Sequence, residues 1–349
     1  MHLVHYKTPF AFGDSKAKKI RHKGKRIMST FKYILKRCGL MILSFIIIMF
    51  ISFVLIKSLP FNTEATGQQA AIEKERMTQL GYYEPVMTQL FIYAKNVITD
   101  WNWGVSWKID YLENVTAVVG DRLVPTVLIN VYSLLISIPI GIFFGVIAAL
   151  KKNKWQDQLI STGVMVFISV PSFVYAFIVQ YLLAFKLNWF PPIASSLADA
   201  GGSYFSWTMT WSLALPVMSM AFGIIASLTR RTRAELTEAL TSDYMLLART
   251  KGLTKGQAIV RHALKNAMVP IFPGIIGAFL GVMGGSLIIE QIFAVPGAGA
   301  LYIKALLTRD YDVFIYLTAF YTALGLVAGV VVDLSYGFLD PRVKVGGAK

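Results

Sequence analysis

The residues whose types and spacing point to work are Asp243-Tyr244-Met245-Leu246-Leu247-Ala248-Arg249-Thr250-Lys251-Gly252-Leu253-Thr254 and, shortly after, Arg261-His262-Ala263-Leu264-Lys265-Asn266-Ala267. Leu236, Leu240, Tyr244 and Leu247 recur at helical spacing and predict one apolar face. Gly252 follows Arg249 and Lys251, as expected where a helix ends with cations in its last turn and glycine just beyond. Thr254 and Gln257 read as a capping box opening a second helix, with Ile259, His262, Ala263 and Asn266 on one side. The chemistry on offer is non-covalent: Leu246, Leu247 and Leu253 beside Arg249 and Lys251 make a surface for another protein. A docking element is favoured over a pair that merely shields a bundle. His262 has no second ligand nearby for a metal and reads as a packed residue.

The chain lacks a G-x-x-x-x-G-K-[ST] segment, and so the phosphate-cradling loop. It also lacks a clustered nucleophile, base and acid. It is therefore expected not to be an enzyme, to bind no cofactor or metal, and to be passive, ion-driven or powered by a separate protein.

The elements that must position this surface are apolar. Of 349 residues, 55% are hydrophobic and 15% charged, against about 25% charged in soluble domains. Roughly 20 apolar residues cross a bilayer core, and six segments qualify: 39–59, 124–150, 158–184, 211–229, 267–292 and 314–336. The expected fold class is all-α, a polytopic membrane protein with six transmembrane helices. Strand barrels would show shorter, alternating runs.

The net charge of +15 could suggest nucleic acid, but its distribution along the chain argues otherwise. The flank 1–38 carries eleven Lys/Arg, the 230–266 region eight, and segment 151–157 and the tail three each. Segment 60–122 instead has eight acids to five bases. That is the positive-inside pattern, placing both termini in the cytoplasm and arguing against nucleic acid. The 1–26 stretch is expected to be a disordered tail attracted to anionic lipid headgroups, followed by a retained first span rather than a cleaved signal. The lone Cys38 excludes an internal disulfide.

The predicted organisation is a basic tail 1–38, a first helix 39–59, an extracytoplasmic cap 60–120, a transmembrane domain 121–337 enclosing the 230–266 region, and a tail 338–349. In the cap, Met77, Leu80 and Leu90 have helical spacing within 70–93, and Trp101, Trp103 and Trp107 suggest an interfacial aromatic belt. Pro139, Pro171, Pro216, Pro270 and Pro273 predict bends. Glycines such as Gly141, Gly145, Gly163, Gly274, Gly277, Gly281, Gly284 and Gly285 predict close helix packing. Glu290 and Asp333 fall near span ends, where solvation is cheap. With no ionisable group at mid-span, ion-coupled transport loses ground.

These residues resemble the inner-membrane permease subunits of ABC importers, in the dipeptide/oligopeptide/nickel group and its oligopeptide B-type members. The resemblance covers 32–342. Besides the 243–267 stretch it rests on Asp121-Arg122-Leu123-x-Pro125-Thr126, Ser169-Val170-Pro171-Ser172-Phe173, Asn188-Trp189-Phe190-Pro191, Glu290-Gln291-Ile292-Phe293, Pro296-Gly297-x-Gly299, Arg309-Asp310-Tyr311 and Asp340-Pro341-Arg342. Two features depart from the family pattern. Leu246-Leu247-Ala248 stands where many importers have Glu-Ala-Ala, and Leu59-Pro60-Phe61-Asn62 where Pro-Gly-Asp-Pro is usual.

The resemblance implies a type I ABC importer permease fold. It also implies a second homologous permease, two ABC ATPase subunits carrying ATP and Mg, an extracytoplasmic substrate-binding protein and a peptide substrate in a bacterial plasma membrane. The implied ATPase-docking residues are Asp243, Tyr244, Leu247, Ala248, Arg249, Lys251, Gly252, Leu253 and Thr254. Nickel, heme or glycoside import, a stand-alone secondary transporter or channel, and a sensory or scaffold membrane protein remain alternatives. Met165, Met209, Met218 and Met220 are too scattered to argue for nickel and read as packing residues.

Overall fold

The structure, a computed structural model, describes residues 12–59, 68–282 and 287–339. The Pro60-Phe61-Asn62 departure, the Asp340-Pro341-Arg342 motif, Gly284 and Gly285 lie outside the described residues. The architecture is all-α; among the described residues the one bridge between extended segments joins Val105 and Asn114.

Helix α1 runs over Phe12–Lys57. It contains no proline and is rich in helix formers, so residues 12–26, expected to be disordered, have helical backbone. The outer segment folds as α2 (Gln68–Gln79) and α3 (Val86–Asp100). The single periodic stretch expected over 70–93 is split where Gly81 adopts φ +78° and Pro85 opens α3. Helix α4 (Val115–Leu150) starts nine residues ahead of the expected span because Pro125 sits in it without ending it.

The third expected span, 158–184, is broken. Pro171 separates α5 (Trp155–Ser169) from α6 (Ser172–Val179) and its π-helical extension Gln180–Lys186, with a bend of 103°. After α7 (Trp207–Ser212), helix α8 (Ala214–Leu240) extends well past the expected boundary at 229. Next come α9 (Asp243–Thr250), α10 (Lys255–Ala258), a π-helical turn Ile259–Leu264 and α11 (Lys265–Val282). The chain closes with α12 (Leu287–Ile292), α13 (Ala298–Thr308) and α14 (Tyr311–Leu339).

Among the described residues, four helical runs are long and apolar enough to cross a membrane, and the bent pair makes a fifth if it counts as one span. Helix α8 is long enough to join them, but its second half carries Arg230, Arg231, Arg233, Glu235 and Glu238. It packs among α4, α5, α6 and α11, so the arrangement accommodates six spans.

The α4–α8 pair is the spine. A Cβ on Gly141 would lie 2.9 Å from the Leu228 side chain, and one on Gly145 2.9 Å from the Thr229 carbonyl oxygen. Small residues thus let the two backbones approach, which is what drives helix association where lipid removes the hydrophobic term. Hydroxyls stitch the seam: Ser133, Ser137 and Thr229 donate across it to the carbonyls of Val217, Ala221 and Gly141 at 3.2, 3.3 and 3.2 Å. At the end where α8 runs into α9, Arg233 grips the buried Asp157 through two bonds of 2.5 and 2.8 Å, tying α8 to α5.

Candidate functional site at the alpha9 elbow

Helix α8 ends at Leu240, and a short turn carried by Thr241 and Ser242 redirects the chain into α9. The periodicity that joined Leu236 and Leu240 to Tyr244 and Leu247 therefore does not hold across the turn. Leu236 is buried, whereas Tyr244 and Leu247 face outward; Met245 and Ala248 take the inward positions instead. They pack with Ala149, Leu236, Ala239, Ala258, Ala263 and Ala267 in an alanine-rich cluster joining the elbow to α4, α8 and α11. Alanine lets the helices approach closely, so the elbow is seated on the bundle rather than tethered to it.

The glycine break is a Schellman closure. Leu253 N donates to Ala248 O at 3.3 Å and Gly252 N to Arg249 O at 3.0 Å, with Gly252 at φ +87°. The apolar contact that accompanies such a closure is made by Leu253, which packs half-buried against the cluster holding Ala248. This corrects the expectation of an exposed Leu253. The predicted capping box is present: Gln257 N donates to Thr254 Oγ1 at 3.3 Å and Thr254 N to Gln257 Oε1 at 3.1 Å. From there one helical run passes through α10 and the π-helical turn into α11. Asn266, expected on the packed side, is exposed.

What remains on the outer surface is Asp243, Tyr244, Leu246, Leu247, Arg249, Thr250, Lys251 and Thr254. Leu246 and Leu247 are 68% and 55% exposed, apolar knobs flanked by cations. Of the nine expected site residues, the structure groups six on this surface, uses Ala248 and Leu253 as its seat, and gives Gly252 the turn.

Several family-like motifs converge at the other end of the bundle. Glu290, expected near solvent, is 1% exposed. Its carboxylate accepts from Thr126 Oγ1 and from the Ala300 amide, each at 3.0 Å, and Thr126 Oγ1 in turn accepts from the Ala298 amide at 2.9 Å. A Cβ on Gly297 or Gly299 would collide with that carboxylate. Glu290, Thr126 and the two glycines therefore form one device that folds the loop between α12 and α13 onto α4. The neighbouring glycines were the available signal that this carboxylate is enclosed.

Asp310 and Asp312 hold the outer segment. Asp310 is buried and accepts from Ser106 Oγ at 2.5 Å and from the amides of Trp107, Lys108 and Ile109 at 3.3, 3.0 and 3.1 Å. Asp312 accepts from Lys57 Nζ at 3.0 Å and from the Tyr82 hydroxyl, to which Trp107 Nε1 donates at 2.9 Å. Burial, and then the Asp312 charge, push the Tyr82 hydroxyl above its ordinary range, keeping it a donor. Trp107 is 2% exposed and Trp103 packs between Tyr93 and Tyr316, so these two belong to a packed aromatic cluster. Trp101 alone of the three is exposed as an interfacial belt would require. Met209 is buried and Met165 exposed, and among the described residues no group of three or more His, Cys, Asp or Glu could hold a metal ion.

Residues 141–345 match the family model described as binding-protein-dependent transport system inner membrane component. The chain is 31% identical to the dipeptide transport system permease protein DppB of Bacillus subtilis over 90% of this chain and 98% of that one. It is 32% identical to the Salmonella typhimurium oligopeptide transport system permease protein OppB, over 90% and 99%. The Lactococcus lactis dipeptide permease DppB matches at the same 32% identity and the same coverage. Among solved structures, an amino acid ABC transporter crystallised with histidines aligns over 64% of this chain and 94% of its own, at 19% identity and a TM-score of 0.48, too distant to bear on the reading. On the sequence matches, the chain belongs to the family of binding-protein-dependent transport system inner membrane components.

Proposed function

We propose that this chain is one of two permease subunits of an ATP-driven importer for dipeptides or oligopeptides in a bacterial plasma membrane, with the α9 elbow as the surface on which an ATPase subunit docks. The peptide class is supported by the dipeptide and oligopeptide permeases that match it over 90% of its length. The docking role rests on one observation above the rest: the elbow exposes Leu246 and Leu247 together with Arg249 and Lys251 while its inner face is fixed to α4, α8 and α11. A rigid-body push on such an elbow is transmitted to the spanning helices rather than absorbed by a loop. It is thus the two-state element through which nucleotide and substrate would bias one equilibrium.

In this reading the α9 end is cytoplasmic and both termini lie on that side. The cap built from α2 and α3 meets an extracytoplasmic binding protein, and ATP and Mg reside in the partner ATPases. ATP binding draws paired elbows together and turns the pathway outward; hydrolysis resets it. The chain itself performs no catalysis.

The test is gentle purification of the chain from its native membrane followed by mass spectrometry of what accompanies it. Two ATPases and a second permease of this family are expected. A chain that emerges alone and still moves solute after reconstitution overturns the proposal in favour of a secondary transporter.

A further inference from the structure

Along α8, Gly223, Ser227, Arg231 and Glu235 follow at intervals of four and so lie in one stripe. Two neighbouring cavities share this stripe. One, of about 500 Å³, lies between α4, α8 and α11 and includes Gly223, Ser227 and Arg231 in its lining. The other, of about 710 Å³, lies between α8 and the Pro171 break and is lined by the same three residues together with Tyr175, Arg230 and Glu235. Arg231 thus stands between the two compartments. Its guanidinium lies against Gly274 of α11, where a Cβ would be 2.6 Å from Nη1; the missing side chain makes its seat. Neither Arg230 nor Arg231 has a carboxylate within ion-pair distance among the described residues, whereas Arg233, one half-turn on, is fully engaged by Asp157.

Arg230 and Arg231 are both exposed and line the half-open cleft at the α9 end of α8, so together they present two guanidiniums to an anion that enters it. Glu235, one turn beyond Arg231, offers the opposite charge to whatever the arginines hold. Resting on the import reading above, we propose that Arg231, supported by Arg230, forms an inner station for the terminal carboxylate of the passing peptide. Glu235 faces the ammonium end of the same zwitterion. Guanidinium suits this task because its planar fork meets a carboxylate with two parallel bonds and stays charged at any physiological pH. A lipid phosphate shares the chemistry, and the anionic-vesicle arm of the test separates the two sources.

The test uses the assembled importer in nanodiscs of neutral lipid, without nucleotide. In a Cys38→Ser background, a Ser227→Cys variant places a thiol on the stripe, and its labelling by an anionic methanethiosulfonate is followed on this subunit by intact mass. A library of tripeptides with free C-termini should slow labelling, and the same library with amidated C-termini should not. Arg231→Gln should raise the concentration needed for protection about tenfold, as expected for losing a charge-assisted pair. Arg231→Lys should restore much of it, separating charge from a folding defect.

Equal protection by both libraries, or by neither, overturns the station. So does protection by anionic vesicles that matches the peptides, which would make it a headgroup site. A complex that assembles with its ATPases and imports peptide, yet shows either of these outcomes, loses only this inference; a complex without ATPases removes the import reading itself.

Discussion

At the scale of single residues, Gly252 is held by its backbone and not by space. A Cβ there would meet nothing within 4 Å, yet the position has φ +87°, which L side chains rarely adopt. Gly252→Val should therefore cost about 1–2 kcal/mol of local conformational energy and loosen the Schellman closure without touching any packed neighbour. The expected phenotype is a complex that assembles and hydrolyses ATP while peptide uptake falls, measured as the ratio of the two rates in proteoliposomes. An unchanged ratio would detach the turn from coupling. This glycine was legible in the sequence because it follows two cations and precedes a capping box, each a local rule with a local cause. Glu290 and Asp310 were not legible in the same way: their partners, Thr126 and the amides of 107–109, stand far off along the chain, and no local rule reports a bond of that reach.

At the scale of elements, hydropathy found the apolar runs but misjudged their ends. It extended 158–184 through Pro171 because apolarity says nothing about the 103° bend a proline and its preceding residue impose. It ended the fourth span at 229 because arginines follow, although the helix itself continues to Leu240. The elbow's inner face was misassigned for a related reason: helical periodicity was carried over the turn at Thr241 and Ser242, which resets the phase. Glycine spacing was more informative at the seam. Adding bulk at Gly145 should drive α4 from α8, since Thr232 and the Thr229 carbonyl already occupy that volume, whereas Gly163 has nothing within 4 Å of an added Cβ. Overpacking of this kind costs about 1–3 kcal/mol. Gly145→Leu should lower the thermal midpoint of the purified complex by several degrees, and Gly163→Ala should leave it in place; equal midpoints for the two would contradict the seam as the spine of the fold.

For the whole molecule, the distribution of charge and the two built ends bear on the proposed orientation. The cap is held to the bundle by Asp310 and Asp312, buried carboxylates joined to the loop after α3, to Lys57 and to Tyr82. The elbow end exposes Arg249 and Lys251, as the proposed cytoplasmic placement would favour. Thr99 on α3 and Thr250 on α9 are both exposed and sit at these opposite ends. In a Cys38→Ser background, a Thr99→Cys variant should react with a membrane-impermeant maleimide added to spheroplasts. A Thr250→Cys variant should react only in inverted vesicles, and binding of the ATPase subunits should then protect it. The reverse pattern would put the elbow where no ATP is available, and a rigid docking element on that side could not couple hydrolysis to anything. Correct sidedness without protection would keep the topology but move the docking surface elsewhere. The elbow's role in coupling therefore depends on sidedness first and on contact second, and this pair of variants separates the two.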